Sequence, residues 1–106
     1  MATEVIPIRD GEFQAQVLEA TTPVLVYVWA DWCGPCRLMA PLVDKAAQGW
    51  AGRLKVVKMH VDENPELARL YQVEGIPTLL LFREGQLLAS SEGLGTKPAE
   101  FLTAHL

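Results

Sequence analysis

Two thiols stand three residues apart in Trp32-Cys33-Gly34-Pro35-Cys36, and they are the only cysteines among 106 residues. An apolar run, Val24 to Ala30, comes directly before them, and a stretch with helical spacing, Arg37 to Trp50, comes directly after. The thiols are therefore expected where a buried strand hands over to the first turn of a helix. A helix N-terminus has N–H groups without partners and carries a partial positive charge. A thiolate placed there is stabilised, so the thiol ionises more readily, and the thiolate is the nucleophile. Cys33 is expected at or just before the first turn, with its sulfur exposed. Cys36 follows one turn later, facing inward. That spacing brings the two sulfurs within bonding reach, so they can close a small disulfide ring. Arg37 adds a cation expected to favour a thiolate nearby. Gly34 leaves the approach to sulfur open, and Pro35 suits a first turn, where its missing N–H costs nothing.

Other chemistries fit less well. A zinc site needs about four ligands, and His60 and His105 are the only histidines, neither spaced like a zinc knuckle. A purely structural disulfide across so short a loop gains little, because loop-closure entropy grows with loop length. A redox-active pair is the favoured reading.

The elements that must hold this pair can be read along the chain. Val5-Ile6-Pro7-Ile8 reads as an edge strand interrupted by proline. Asp10 can cap a short helix from Gly11 to about Leu18, with Phe13, Val17 and Ala20 at helical spacing. Val24 to Ala30 is apolar on both alternating faces, as in a central strand covered on both sides. The helix after the cysteines carries Met39, Leu42, Val43, Ala46 and Trp50 on one stripe. Pro41 inside it removes a hydrogen bond to the Arg37 carbonyl and predicts a kink. A Val-rich strand over Lys55 to Val61 follows. Asn64-Pro65 then reads as a cap with proline in the first turn of a short helix, whose Leu67, Leu70 and Tyr71 face inward. Leu79 to Phe82 and Leu87 to Ser90 form a hairpin about the turn at 83–86. Thr96 caps a last helix with Pro98 in its first turn and Phe101, Leu102 and His105 along one side. The order is βαβαβαββα. The first three strands, joined through helices, are expected to run parallel through right-handed crossovers, and the last two to pair antiparallel.

Composition narrows the functions this frame can serve. The length suits one domain with a real core, and half the residues are hydrophobic. The net charge is −4 with scattered Lys and Arg, so no basic footprint for nucleic acid is visible. No apolar run approaches the roughly 20 residues that span a bilayer. Met1-Ala2-Thr3-Glu4 lacks the basic, then apolar, start of a signal peptide, so a cytoplasmic, reducing compartment is expected. In such a compartment a lone Cys pair is more often catalytic than structural.

Trp-Cys-Gly-Pro-Cys after an apolar strand resembles thioredoxin, and the element order extends the likeness over essentially the whole chain. The resemblance implies the thioredoxin fold: an α/β domain over residues 1–106, with a central mixed five-stranded sheet flanked by four helices. It implies a protein-disulfide reductase. The Cys33 thiolate attacks a target disulfide, Cys36 resolves the mixed disulfide, and a thioredoxin reductase, NADPH- or ferredoxin-dependent, restores the dithiol. Gly34-Pro35 resembles the reducing members of the fold. Neither organic cofactor nor metal is implied. The implied partners are disulfide-containing target proteins and the reductase, with no nucleic acid and no membrane. A monomer is expected, because a dimer through the binding patch would block the site. Gly75-Ile76-Pro77-Thr78 matches the family's cis-proline loop, although an X-Pro bond on its own is usually trans. The exposed Ile76 backbone could pair with an extended substrate segment, and Pro77 keeps a competing N–H donor from the sulfurs. Gly93 matches the family's glycine on the rim of the same groove, and reads equally well as a turn glycine. Trp32, Gly34, Pro35, Ile76, Pro77 and Gly93 would form a flat apolar patch.

One residue departs from the family. Nine residues before the second cysteine, thioredoxins usually carry a buried aspartate that helps deprotonate that cysteine and pairs loosely with a lysine, matched here by Lys58. Tyr27 stands in that place. A buried tyrosine stays neutral near pH 7 and cannot act as that base. It is either a core aromatic with a satisfied hydroxyl or a group that orders water or Lys58 to carry the Cys36 proton. The substitution resembles an atypical thioredoxin subtype, such as those of cyanobacteria. Two other readings use the same surface: a non-enzymatic docking subunit, and an oxidoreductase dedicated to one target.

Overall fold

In the computed structural model, which describes residues 4–106, β2 (Val24–Trp29) is the centre of the sheet. Its all-apolar sequence suits burial on both faces, and Val24 to Val28 are buried. It pairs in parallel with β3 (Lys55–His60), from Val24 opposite Lys55 to Trp29 opposite His60. On its other side it pairs antiparallel with β4 (Thr78–Arg83). β1 (Val5–Pro7) lies parallel to β3 at one edge, and β5 (Gln86–Glu92) closes the other edge against β4. The spatial order is β1-β3-β2-β4-β5.

Alternation along β2 divides the core in two. Leu25 and Tyr27 face the helices α1 (Gly34–Gly49) and α3 (Pro98–His105), among Met39, Val43, Ala46, Phe101 and Leu102. Val24, Val26 and Val28 face the other way, toward Phe13, Val17 and Leu67 of α2 (Pro65–Leu70). Position 27 therefore points under α1, the helix that begins at the cysteines.

Several expectations are corrected. The first helical segment is not a regular helix. It is a 3₁₀ turn, Asp10–Glu12, followed by a wide turn, Gln14–Leu18, in which the Glu19 N–H reaches back to the Gln14 carbonyl. Asp10 lies inside that turn rather than capping it, and the Glu12 carboxylate accepts from the Arg9 N–H at 2.9 Å. A segment this short takes its shape from packing, here the burial of Phe13 and Val17. Leu70 is exposed, because Tyr71, four residues after Leu67, continues the inward stripe more closely than Leu70 does. Tyr71 packs on Phe13 and Phe82. Asn64 occupies the position before α2, but its amide donates to the His60 carbonyl instead of capping the helix. Lys97, not Thr96, precedes α3, and its N–H donates to Glu100. Leu42 and Trp50 flank the core rather than fill it. Pro41 sits within α1 as expected. Among the described residues no helix is long and apolar enough to cross a membrane. Met1 to Thr3, on which the leader reading partly rests, lie outside the described residues.

Candidate active site

The strand-to-helix junction delivers both sulfurs to one place. Cys33 has extended backbone angles (φ −99°, ψ 110°) immediately before α1, and its Sγ accepts the Cys36 N–H at 3.2 Å. The sulfur thus takes the capping position, against one of the helix's otherwise unpartnered donors. The two Cα atoms are 5.3 Å apart and the sulfurs are joined as a disulfide. Pro35 lies in the first turn. Cys36 is buried, as its inward position requires.

Cys33 is not as exposed as the sequence suggests: the residue is only 5% exposed. The tight turn sets its side chain down among Ala30, Cys36, Val61 and Ile76, with Sγ 3.9 Å from the Ile76 carbonyl oxygen. Trp32, by contrast, is 66% exposed, and Gly34 and Pro35 are exposed beside it. The Arg37 guanidinium donates to the Asp31 carbonyl at 3.2 Å.

The Ile76–Pro77 bond is cis. Ile76 is half-buried and Pro77 is buried, so Pro77 contributes little to an open patch. It lies immediately before β4. The Pro77 carbonyl accepts the Gly93 N–H at 2.7 Å, and Gly93 adopts φ +82°, a left-handed conformation suited to glycine. Turn and rim are thus the same residue: the bend after β5 is tied to the proline loop beside the sulfurs.

Behind Cys36 a few polar side chains stand among apolar ones. The buried Tyr27 hydroxyl donates to the Cys36 carbonyl at 2.8 Å. Burial, and next the Asp44 carboxylate, push the Tyr27 hydroxyl up to about 12. A cavity of about 280 Å³ lies here, lined by Tyr27, Asp31, Cys36, Ala40, Asp44 and Lys58 among others. The Lys58 ammonium stands over the Trp29 ring, 5.4 Å from its centre.

Sequence reasoning missed a chain of contacts on the same rim. The Trp32 indole N–H donates to the Asp62 carboxylate at 2.7 Å. The Asp62 N–H donates to His60 Nδ1 at 3.2 Å, and His60 Nε2 meets the Asp31 carboxylate. These pairings together require the neutral tautomer with its proton on Nε2. The His60 contact, first among several causes, holds the Asp31 carboxyl below its usual range. A signal for this chain existed, because parallel strands bring their carboxyl ends to one side. Residues just after β2 and just after β3 must therefore meet. Among the described residues, no group of three or more His, Cys, Asp or Glu side chains could hold a metal ion.

Comparison with known proteins agrees with this geometry. The family model described as Thioredoxin matches residues 4–106. The thioredoxin of Pseudomonas aeruginosa is 43% identical over 108 residues, covering all of both chains. That of Acidithiobacillus ferridurans is 43% identical over 106 residues, covering 100% of this chain and 96% of the relative. Thioredoxin 1 of Synechococcus elongatus is 46% identical over 101 residues, covering 93% and 94%.

Proposed function

The chain belongs to the thioredoxin family and is a protein thiol–disulfide oxidoreductase, a protein-disulfide reductase, and we propose that Cys33 is its attacking thiol and Cys36 its resolving thiol. One observation carries the assignment: Cys33 Sγ occupies the capping position of α1, where a thiolate is stabilised, whereas Cys36 lies within the first turn. The Cys33 thiolate attacks a target disulfide, forming a mixed disulfide and releasing one target thiolate. Cys36 then attacks Cys33 Sγ, the second target thiolate leaves, and Cys33–Cys36 remains oxidised.

Trp32, Ile76, Pro77 and Gly93 hold the target in this reading. The exposed indole and the Ile76 backbone form the surface, and Pro77 and Gly93 shape the loop behind it. Gly34 and Pro35 keep the first turn of α1 compact, and Tyr27 and Lys58 set the environment of Cys36. Partners of a thioredoxin are disulfide-containing proteins in general and a reductase. This chain works as a monomeric, cytoplasmic carrier whose thioredoxin domain spans residues 4–106, re-reduced by an NADPH- or ferredoxin-dependent thioredoxin reductase, with no cofactor beyond its own dithiol. Insulin-disulfide reduction tests the reading, first with dithiothreitol as donor and then with each reductase. Turnover with dithiothreitol is expected, and it is expected to be lost in Cys33→Ser. Turnover retained by that variant overturns the assignment.

A further inference from the structure

Resolution of the mixed disulfide requires that Cys36 lose a proton, and Tyr27 cannot take it. Its hydroxyl is already donating to the Cys36 carbonyl and holds its own proton up to about 12. The neighbouring groups are also unsuited. Arg37 is a permanent cation. Both His60 ring nitrogens are engaged, Nδ1 by the Asp62 N–H and Nε2 by Asp31. The Asp31 carboxylate is committed to His60, which lowers its basicity. Lys58 supplies positive charge at the cavity wall.

Asp44 remains. It is exposed on α1 and lines the same cavity as Cys36. Cys36, Ala40 and Asp44 follow one another at four-residue intervals, along one helix stripe, and all three line that cavity. Ala40 in the middle is small, so the stripe stays open. Two helical turns separate Cys36 from Asp44, about 12 Å along the axis, so a proton must travel through water rather than by contact. The cavity has room for several waters at about 30 Å³ each. Glu4 is not among the residues lining this cavity; it lines the adjoining groove, together with Asp44 and Lys58.

We propose that Asp44, at the mouth of the cavity behind Cys36, receives the Cys36 proton through cavity water during resolution of the mixed disulfide. The proposal rests on the assignment of Cys36 as the resolving thiol. The Cys36 S–H proton passes to an Asp44 carboxylate oxygen. The sulfur's electron pair forms the Cys33–Cys36 bond, and the bond from Cys33 to the target sulfur breaks. The target leaves as a thiolate, and Asp44 returns its proton to bulk solvent. Asp44 acts at a distance and is a positioning residue for the proton.

The test follows the reduced protein reacting with dithionitrobenzoate, which releases one thionitrobenzoate when Cys33 is modified and a second when Cys36 resolves the adduct. Asp44→Asn is expected to leave the first release unchanged and to slow the second about tenfold or more near pH 7, within the range of general-base effects. Asp44→Glu should restore it, and Ala40→Leu, which narrows the water path, should slow it. The defect should shrink as pH approaches about 8.5, where a thiol ionises unaided. Simple electrostatics predicts the opposite sign, because removing a nearby negative charge eases Cys36 ionisation. An Asp44→Asn second phase as fast as wild type near pH 7, or one slowed only by Asp31→Asn, overturns the relay while leaving the thiol roles intact. Absence of a second phase in the wild-type protein overturns the assignment of Cys36 itself.

Discussion

Tyr27 shows how one side chain sets chemistry and stability together. Its hydroxyl spans from the centre of the sheet to the first turn of α1. Tyr27→Phe removes that buried hydrogen bond and is expected to cost about 1 kcal/mol in urea unfolding at neutral pH. The same proton governs alkaline behaviour. Because the folded-state value is raised to about 12 from 10, folding is favoured by the bound proton below pH 10. That contribution is lost as pH rises from 10 through 12, and amounts to at most about 3 kcal/mol. Unfolding measured at pH 9 and pH 12 should show a larger loss for wild type than for Tyr27→Phe; parallel losses would refute the assignment. Tyr27→Asp would bury a carboxylate under α1 and should be less stable than wild type at pH 7. A second residue-scale expectation concerns His60. Its contact lowers the Asp31 carboxyl, so any stability it gives is present above the ordinary carboxylate range and fades as pH falls through the lowered value. His60→Asn should move the Asp31 titration, followed by carboxyl NMR, upward toward 3.8.

At the scale of elements, α2 offers a sharp contrast. Leu67→Ala is expected to cost about 2–4 kcal/mol because Leu67 is buried against Phe13 and Phe82. Leu70→Ala, at an exposed position, should cost under about 0.5 kcal/mol. Thermal or urea unfolding of the two variants distinguishes them, and similar costs would contradict the placement of the stripe. The strand pattern was legible in the sequence: β2, β3 and β4 are strongly apolar, and the helical links among the first three strands predict the parallel pairing seen for β1, β3 and β2. The cysteine junction was legible for the same reason, since an apolar run meets a helical one there. The short helical pieces were not, because at this length packing overrides propensity, as in the wide turn at Gln14–Leu18. The Trp32–Asp62 and His60–Asp31 contacts join residues about 30 apart; parallel pairing placed these residues at one end of the sheet, but no local periodic signal marked which side chains would meet. Asp44 was hidden because an exposed acid on a helix reads as solvation.

For the molecule as a whole, the active-site bond stabilises only weakly. A crosslink closing so short a loop removes on the order of 2 kcal/mol of unfolded-chain entropy. Urea unfolding with and without dithiothreitol should therefore differ by about that amount, and a reduced protein that unfolds outright would contradict it. The fold must stand without the bond, because reduction is half of the working cycle. The two core layers across the sheet supply that independence. The order β1-β3-β2-β4-β5 also has a consequence during synthesis. β2 leaves the ribosome early, yet its partners are residues 55–60 and 78–83. Until Arg83 has emerged, Val24-Leu25-Val26-Tyr27-Val28-Trp29 has an open edge and no charge of its own. Such a segment is a ready template for pairing with a neighbouring nascent chain. The strand at the centre of the finished sheet is therefore the segment most in need of shielding while the protein is being made.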